Sequence, residues 1–229
     1  QPERDAPYIK LAVERIGCEH QTVELTQTAL AQALEEAVDA RGFPGMADVD
    51  SPPLLFARAI APQARFVLSG ECGDEVFGGY PWFRDARSLN AEAFPWSGSL
   101  ELRAGVLKRR VRDKLKIREY VREALAGAVG RVEHLAGESA QDRCLRTMQH
   151  MCFEFFMTNL QERAVAMCEH CHLEVLTPFS DERLVQYVYN VPWEMKFLGG
   201  REKGLLREAV GPLLPESLRY RKKSPYPKT

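Results

Sequence analysis

One stretch of the chain, residues 66–83, constrains the fold most. It opens with an apolar run over residues 66–68, turns at Ser69-Gly70, and then carries three carboxylates within five residues. A glycine pair, Gly78-Gly79, and an aromatic cluster close it. A short apolar run that leads through small residues into a helix is typical of a strand ending at a ligand site in a parallel sheet. Backbone N–H groups at such a helix start can hold anions.

The three carboxylates belong to Glu71, Asp74 and Glu75, and they crowd the predicted helix entrance. One acid there complements the helix dipole, but three repel one another unless a cation or a basic partner joins them. Glu71 and Asp74 are three residues apart, so we expect them to share a helix face and to be able to bind one hard cation. Glu75 points elsewhere in that arrangement, as an ordinary first-turn acid. The alternative is a capped helix with a solvated acidic turn, although the flanking glycines favour close backbone approach.

Length and charge exclude several classes of protein. The chain has 229 residues, enough for one sizeable domain with a core, and a formal net charge of −1. A net charge this close to zero gives no long-range electrostatic field that would attract nucleic acid or a membrane surface. The apolar runs are too short for a membrane span, and the first residues lack signal-peptide character. The six cysteines are scattered, which suits reduced thiols. We therefore expect a cytoplasmic protein that binds neither nucleic acid nor membrane.

The chain before residue 83 reads as alternating helices and strands, which indicates an α/β fold. The expected elements are a helix capped by Asp5 and ended by Gly17, a strand over 20–25, a helix over 30–38, a loop over 42–53, a helix over 54–60 and a strand over 65–68. The rest reads as mainly helical. Its expected elements are helices over 101–126, from Ser139 onward, over 182–190 and opening at 199–207, with a turn over 192–196.

Two segments allow a second reading. The helix predicted over 101–126 is rich in Lys and Arg, which invites a nucleic-acid hypothesis, but acids interleave with the bases and stacking aromatics are nearly absent. A solvated helix face is the better interpretation. Cys168, Cys171 and His172 have the C-x-x-C-H spacing of a haem attachment site or of part of a zinc site. The alternative, which we favour, is a helix end with incidental Cys and His.

Residues 69–80, Ser-Gly-Glu-Cys-Gly-Asp-Glu-Val-Phe-Gly-Gly-Tyr, resemble the second signature of the glutamine-hydrolysing asparagine synthetases, whose synthetase domain is related to the β-lactam synthetases. The block from Arg163 to Asp181 and the tail from Arg201 to Lys223 are similar to later motifs of the same family. The resemblance is weakest over 95–140. It implies a partial parallel sheet of the adenine-nucleotide α-hydrolase type, followed by a mainly helical C-terminal half.

The resemblance also implies a reaction, in which aspartate and ATP form β-aspartyl-AMP and ammonia from glutamine then displaces AMP. It implies ATP and Mg²⁺ as cofactors, an upstream glutaminase domain as the ammonia source, and allows a homodimer. The roles it gives are nucleotide contact by Ser69 and Gly70, Mg²⁺ binding by Asp74, amine activation near the acyl centre by Glu71, and neutralisation of pyrophosphate by Lys223, with Lys203 and Arg221 as weaker candidates.

The chain departs from the family pattern at several points. Leu176 stands where the family usually has Arg, Ser180 where it has Leu, and Glu162 where it has Asp. The Ser-Gly-Gly-x-Asp-Ser pyrophosphate loop and the cysteine glutaminase domain do not occur in residues 1–229, and there is no initiator Met. We therefore expect residues 1–229 to be the C-terminal portion of a synthetase domain, inactive alone. Another carboxylate-adenylating amide ligase and a non-catalytic nucleotide-binding relative remain alternatives.

Overall fold

The computed structural model describes residues 5–45, 47–85, 88 and 94–223 of the protein. Helices dominate it, with two short strands. In chain order, the elements are α1 (Ala6–Ile16), α2 (Gln27–Gln32), α3 (Leu34–Arg41), α4 (Ala47–Ile60), β1 (Phe66–Leu68), α5 (Gly73–Phe77), α6 (Leu100–Gly105), α7 (Arg109–Leu115), α8 (Ile117–Gly130), α9 (Ala140–Met151), a π-helical segment (Cys152–Met157), α10 (Thr158–His170), β2 (Glu174–Leu176), α11 (Glu182–Tyr189), α12 (Trp193–Lys196), α13 (Gly204–Ala209) and α14 (Glu216–Arg219).

The described residues form two compact units. The first unit combines the chain up to Glu71 with Leu160–Pro178 and the chain from Lys203 onward, and the second combines Cys72–Asn159 with Phe179–Glu202. The α/β part of the fold therefore lies in the first unit, and the second is helical. None of the described helices is both long enough and apolar enough to cross a bilayer.

The sheet of the first unit consists of β1 and β2, which pair in parallel with Leu68 opposite Leu176. The Ser69 N–H donates to the Leu176 carbonyl at 2.8 Å and extends the ladder by one bond. The predicted strand over 65–68 and the parallel sheet are thus confirmed. β2 was not expected, because its three residues are too few for a visible alternation.

The strand predicted over 20–25 is wrong, since the structure describes no strand there. Its β-forming residues find no ladder partner, and the Gln21 amide instead bonds the Gln63 side chain at 2.6 Å. The loop predicted over 42–53 is also too long, because α4 already begins at Ala47 and contains Pro52 and Pro53. Proline has a φ close to the helical value, so the helix accepts both at the cost of two N–H donors.

α1 ends at Gly17 as predicted, with Gly17 in the left-handed conformation. Asp5 occupies the cap position, but its side chain makes no capping bond. The carboxylate instead accepts a hydrogen bond from the guanidinium of Arg221. An ion pair to the tail has therefore replaced the expected helix cap.

The second unit packs around aromatic and sulfur-containing side chains. Its buried core consists of Phe83, Phe94, Ala128, Leu145, Met148, Met151, Cys152 and Trp193. The single helix predicted over 101–126 is three helices, and Lys116, with a φ of 46°, separates α7 from α8. Exposed bases there pair with neighbouring acids, as Arg109 does with Asp113 at 3.6 Å. The solvated helix face is confirmed.

Candidate functional site

The carboxyl ends of β1 and β2 meet at one edge of the sheet, because the two strands are parallel. Ser69, Gly70 and Glu71 follow β1, and Thr177 follows β2. The Ser69 hydroxyl accepts a hydrogen bond from the Glu71 N–H at 3.2 Å, which tightens the turn. Ligands of open α/β sheets bind at this position, outside the strand ends. Three of the predicted site residues therefore lie directly after the end of β1.

Gly70 has open space around it. A Cβ built there would meet no atom within 4 Å apart from its chain neighbours, and its φ lies outside the left-handed region. Neither packing nor backbone conformation in the described structure therefore requires glycine at this position. A glycine at this strand end leaves the backbone open to close approach by a ligand.

Glu71 pairs with Arg163, which α10 brings to the same edge. The Arg163 guanidinium donates to Glu71 Oε1 at 3.2 Å, and the side chains are 12% and 30% exposed respectively. Glu71 Oε2 and Arg163 Nε are buried and have no hydrogen-bond partner among the described residues. Buried polar atoms without partners are rare and usually mark the place of a ligand or water. The ion pair therefore has one acceptor, Glu71 Oε2, and one donor, Arg163 Nε, that can bond to a further polar group.

The acids of residues 71–75 do not share one helix. Cys72 has a φ of 71°, so the chain leaves the helical path there and α5 begins at Gly73. The expectation that Glu71 and Asp74 share a helix face is wrong for this reason. Glu71 closes the first unit, and Asp74 lies in α5 of the second.

Asp74 and Gly79 lie against each other. A Cβ on Gly79 would stand 1.8 Å from Asp74 Oδ1 and 2.7 Å from its Cγ. The Gly79 N–H also donates to the Asp74 carbonyl at 2.8 Å. The second glycine of the Gly78-Gly79 pair is therefore needed to leave room for the Asp74 carboxylate.

Glu75 lies in the first turn of α5, as predicted, but it is not exposed to solvent. Its side chain is buried, and Glu75 Oε1 accepts a hydrogen bond from the Tyr80 hydroxyl at 2.5 Å. Burial, followed by the Glu75 charge, raises the pKa of Tyr80 well above its usual range, so the tyrosine stays a donor. Glu75 is therefore a buried hydrogen-bond acceptor for Tyr80, the last residue of the 69–80 stretch.

The three basic residues that the resemblance assigns to pyrophosphate lie in the first unit. Lys203 precedes α13 in the left-handed conformation, with a φ of 55°. The Arg221 guanidinium pairs with Asp5 and lies 4.2 Å from the centre of the Tyr8 ring. Lys223 is the last described residue and is half-buried. The convergence of Lys203, Arg221 and Lys223 with Asp74 on one polyphosphate stays a prediction.

Comparison with known proteins identifies the family. Residues 1–229 match the asparagine synthase family along their whole length. The chain belongs to this family. It is 44% identical over 229 residues to "Asparagine synthetase [glutamine-hydrolyzing] 3" of Bacillus subtilis, which covers all of this chain and 37% of that protein. Identity to putative asparagine synthetases of Mycobacterium bovis and Mycobacterium tuberculosis is 27% over 246 residues, covering 94% of this chain and 38% of each relative. The chain thus spans less than half the length of these relatives.

Leu176 is one of the positions at which we expected a departure from the family pattern. Leu176 ends β2, its side chain is 45% exposed, and its carbonyl accepts from the Ser69 N–H. The backbone role of this position is therefore independent of the side chain. The guanidinium that the described structure does place at this edge belongs to Arg163.

The Cys168–His172 segment covers the last residues of α10, which ends at His170, and the turn that follows, as its helix-end interpretation predicted. Cys171 packs against the core of the first unit, and the His170 ring lies 3.2 Å from Glu36. His172 turns the chain with a φ of 58°. Over the described ranges, no three Cys, His, Asp or Glu side chains converge to hold a metal ion.

Sequence reasoning missed the partners that surround the predicted residues. Arg163 was noted only as a motif match, and Gln161, which donates to the Thr177 hydroxyl at 3.5 Å, was not noted. Gln149 and Lys196 were also missed. Both residues are buried, but α9 and α12 are rich in polar residues, so the local sequence contains no signal that sets Gln149 and Lys196 apart.

Proposed function

We propose that the full-length protein containing this chain synthesises asparagine from aspartate, using ATP and ammonia derived from glutamine. The observation that carries the proposal is the edge formed by β1 and β2, where the open Gly70 adjoins the incompletely satisfied Glu71–Arg163 pair. Family membership supports the proposal independently. An upstream glutaminase domain, cytoplasmic location and a homodimer are further parts of the same proposal.

In the first step, an oxygen of the aspartate side-chain carboxylate attacks the α-phosphorus of ATP. The bond from that phosphorus to the bridging oxygen breaks, so β-aspartyl-AMP and pyrophosphate form. Ser69 and the Gly70 backbone hold the nucleotide at the strand ends, where no side chain obstructs it. Lys223, with Lys203 and Arg221 as weaker candidates, neutralises the negative charge that develops on the leaving pyrophosphate.

The residues present fit Mg²⁺ on the pyrophosphate portion of ATP. Magnesium sites of this kind use one or two carboxylates, with phosphate oxygens and waters completing the octahedron. Gly79 leaves room for the Asp74 carboxylate, which can supply one such ligand. Asp74 is the carboxylate that we assign to the ion, and its role is to orient a charge-neutralising cation. When bound, Mg²⁺ supplies Lewis-acid stabilisation of phosphate charge.

In the second step, the nitrogen of ammonia attacks the acyl carbon of β-aspartyl-AMP. The carbon–oxygen bond to AMP breaks, and the nitrogen loses a proton as asparagine forms. Glu71 is the group that we assign to accept this proton, because Arg163 orients Oε1 while Oε2 has no partner in the described structure. Arg163 is thus a positioning residue for Glu71.

The proposal is tested by supplying the full-length protein with ATP, Mg²⁺, ammonia and one of several carboxylic acids. Aspartate is expected to release AMP and pyrophosphate in equal amounts with asparagine. Strongest turnover of another acid would favour a different carboxylate-adenylating ligase. Asp74→Ala is the matched variant, and we expect it to weaken Mg·ATP binding at least about tenfold, or about 1.4 kcal/mol. Binding unchanged by Asp74→Ala would favour a non-catalytic relative.

A further inference from the structure

α5, the helix that carries Asp74, cannot be stable by its own hydrogen bonds. It has five residues, and the side chain of Cys72 makes no capping bond to it. Helices of this length gain too few bonds to offset the entropy of nucleation. The last carbonyls of a helix also lack partners within it. The position of Asp74 therefore depends on what other elements supply to α5.

Gln149 supplies the missing partner from α9. Its amide Nε2 donates to the Val76 carbonyl at 2.7 Å and lies 3.4 Å from the Glu75 carbonyl. The Gln149 side chain is completely buried, so no solvent can replace these bonds. A side chain of α9 therefore caps the carbonyl end of α5.

Lys196 determines which way the Gln149 amide points. The Lys196 amine, at the end of α12, donates to Gln149 Oε1 at 2.8 Å and lies 3.4 Å from the Tyr189 carbonyl. An amide oxygen that accepts from an amine leaves the NH₂ group to face the α5 carbonyls, and a flipped amide would lose both sets of bonds. The amine also lies 4.3 Å from the centre of the Trp193 ring, on the same short helix.

The amine can hold this orientation in either protonation state. Lys196 is fully buried, and burial, followed by the charge of Arg146, lowers its pKa to about 7. A neutral amine has two N–H donors and an ammonium has three, so the bond to Gln149 does not require the charge. What the site requires is a donor at this position. Methionine, an unbranched side chain one atom shorter than lysine, lacks one.

We propose that Lys196 and Gln149 are positioning residues that together hold α5, and with it Asp74, in the arrangement that the reaction needs. The proposal rests on the proposed function for the role of Asp74. The clamp itself, from the Lys196 amine through the Gln149 amide to the Val76 carbonyl, rests only on the hydrogen bonds of the second unit. The two parts can therefore be tested separately.

The test compares Lys196→Met and Gln149→Glu with the full-length wild type, and uses Gln141→Glu, an exposed position on the same helix, as the control. Glutamate keeps the shape of glutamine and can pair with Lys196, but its carboxylate cannot donate to the α5 carbonyls. Hydrogen exchange of the peptide spanning residues 73–80 is expected to accelerate at least about tenfold in both variants, because opening of α5 becomes easier. The control and the peptides of β1 and β2 are expected to exchange as in the wild type.

The second readout is the Mg²⁺ concentration that gives half-maximal ATP–pyrophosphate exchange with aspartate. We expect it to rise at least about tenfold in both variants, while the KM for aspartate changes less than about twofold, because only the metal ligand is displaced. Gln149→Asn, which keeps the amide but shortens the reach, is the milder variant if a larger change prevents folding.

Each outcome of these measurements tests one part of the proposal. Unchanged exchange of residues 73–80 in variants that fold would overturn the clamp. Faster exchange with an unchanged Mg²⁺ requirement would overturn the positioning role and leave a structural one. A wild-type protein that adenylates no acid would overturn the proposed function, and the exchange comparison would still decide the clamp.

Discussion

Glu71→Gln in the full-length protein is expected to lower the rate of asparagine formation at least about 100-fold, since general-base catalysis contributes roughly 10²–10⁴-fold. Glutamine keeps an oxygen for Arg163 but cannot accept a proton from the attacking amine. The first step does not use that proton transfer, so ATP–pyrophosphate exchange with aspartate is expected to fall less than about tenfold. Comparing the two rates in one preparation measures the effect.

Glu169→Gln provides the control for Glu71→Gln, because Glu169 is an exposed glutamate of α10 in the same unit. It is expected to leave both rates unchanged. Thermal unfolding of Glu71→Gln is expected to show only a small fall in midpoint, because glutamine keeps an oxygen for the Arg163 guanidinium. An equal fall of the two rates would show that Glu71 acts before the amine arrives, which contradicts the role assigned to it.

Gly79→Ala is expected to lower both activity and stability. The new Cβ would lie 1.8 Å from Asp74 Oδ1 and 3.0 Å from the Asp74 Cα, so the carboxylate has to rotate away and the backbone is crowded. Overpacking of this kind costs about 1–3 kcal/mol of unfolding free energy. Displacing the proposed Mg²⁺ ligand is expected to reduce kcat/KM for ATP at least about 100-fold, or about 3 kcal/mol. Denaturant unfolding and steady-state kinetics measure the two effects.

Gly130→Ala is the matched substitution, at the last position of α8, where a Cβ would meet nothing within 4 Å. It is expected to be neutral or slightly stabilising, because alanine favours helix more than glycine does. A Gly79→Ala protein with wild-type affinity for Mg·ATP would show that the position of the Asp74 carboxylate does not matter for the nucleotide.

The local pattern around residue 70 was sufficient to predict β1, the turn at Ser69-Gly70 and the helix that follows. Those features depend on apolar periodicity and glycine placement, which the sequence displays directly. Whether a segment forms a strand also depends on which segments pair. This is why β2 forms although it was not predicted, and why residues 20–25 form no strand although one was predicted there. Pairing is a tertiary choice, so three residues with weak alternation form a strand where a longer β-like segment does not.

The candidate site also combines features that the local sequence predicts with features that depend on the folded chain. Ser69, Gly70 and Glu71 could be placed at a strand end from their spacing alone. The break at Cys72, which removes Glu71 from α5, is a backbone conformation that a cysteine adopts rarely, so nothing in the local pattern indicated it. Arg163 and Gln149 lie 92 and 73 residues from the groups that they contact, Glu71 and Val76, and only the folded chain reveals those contacts.

The most direct test of the account is to follow the oxygen of the attacking carboxylate. The full-length protein would be supplied with ATP, Mg²⁺, ammonia and aspartate labelled with ¹⁸O in its side-chain carboxylate, and the phosphorus products examined by mass spectrometry. Attack on the α-phosphorus predicts one ¹⁸O atom in each AMP and none in pyrophosphate. Label in inorganic phosphate, with ADP as the other product, would contradict the account, as would AMP that carries no label.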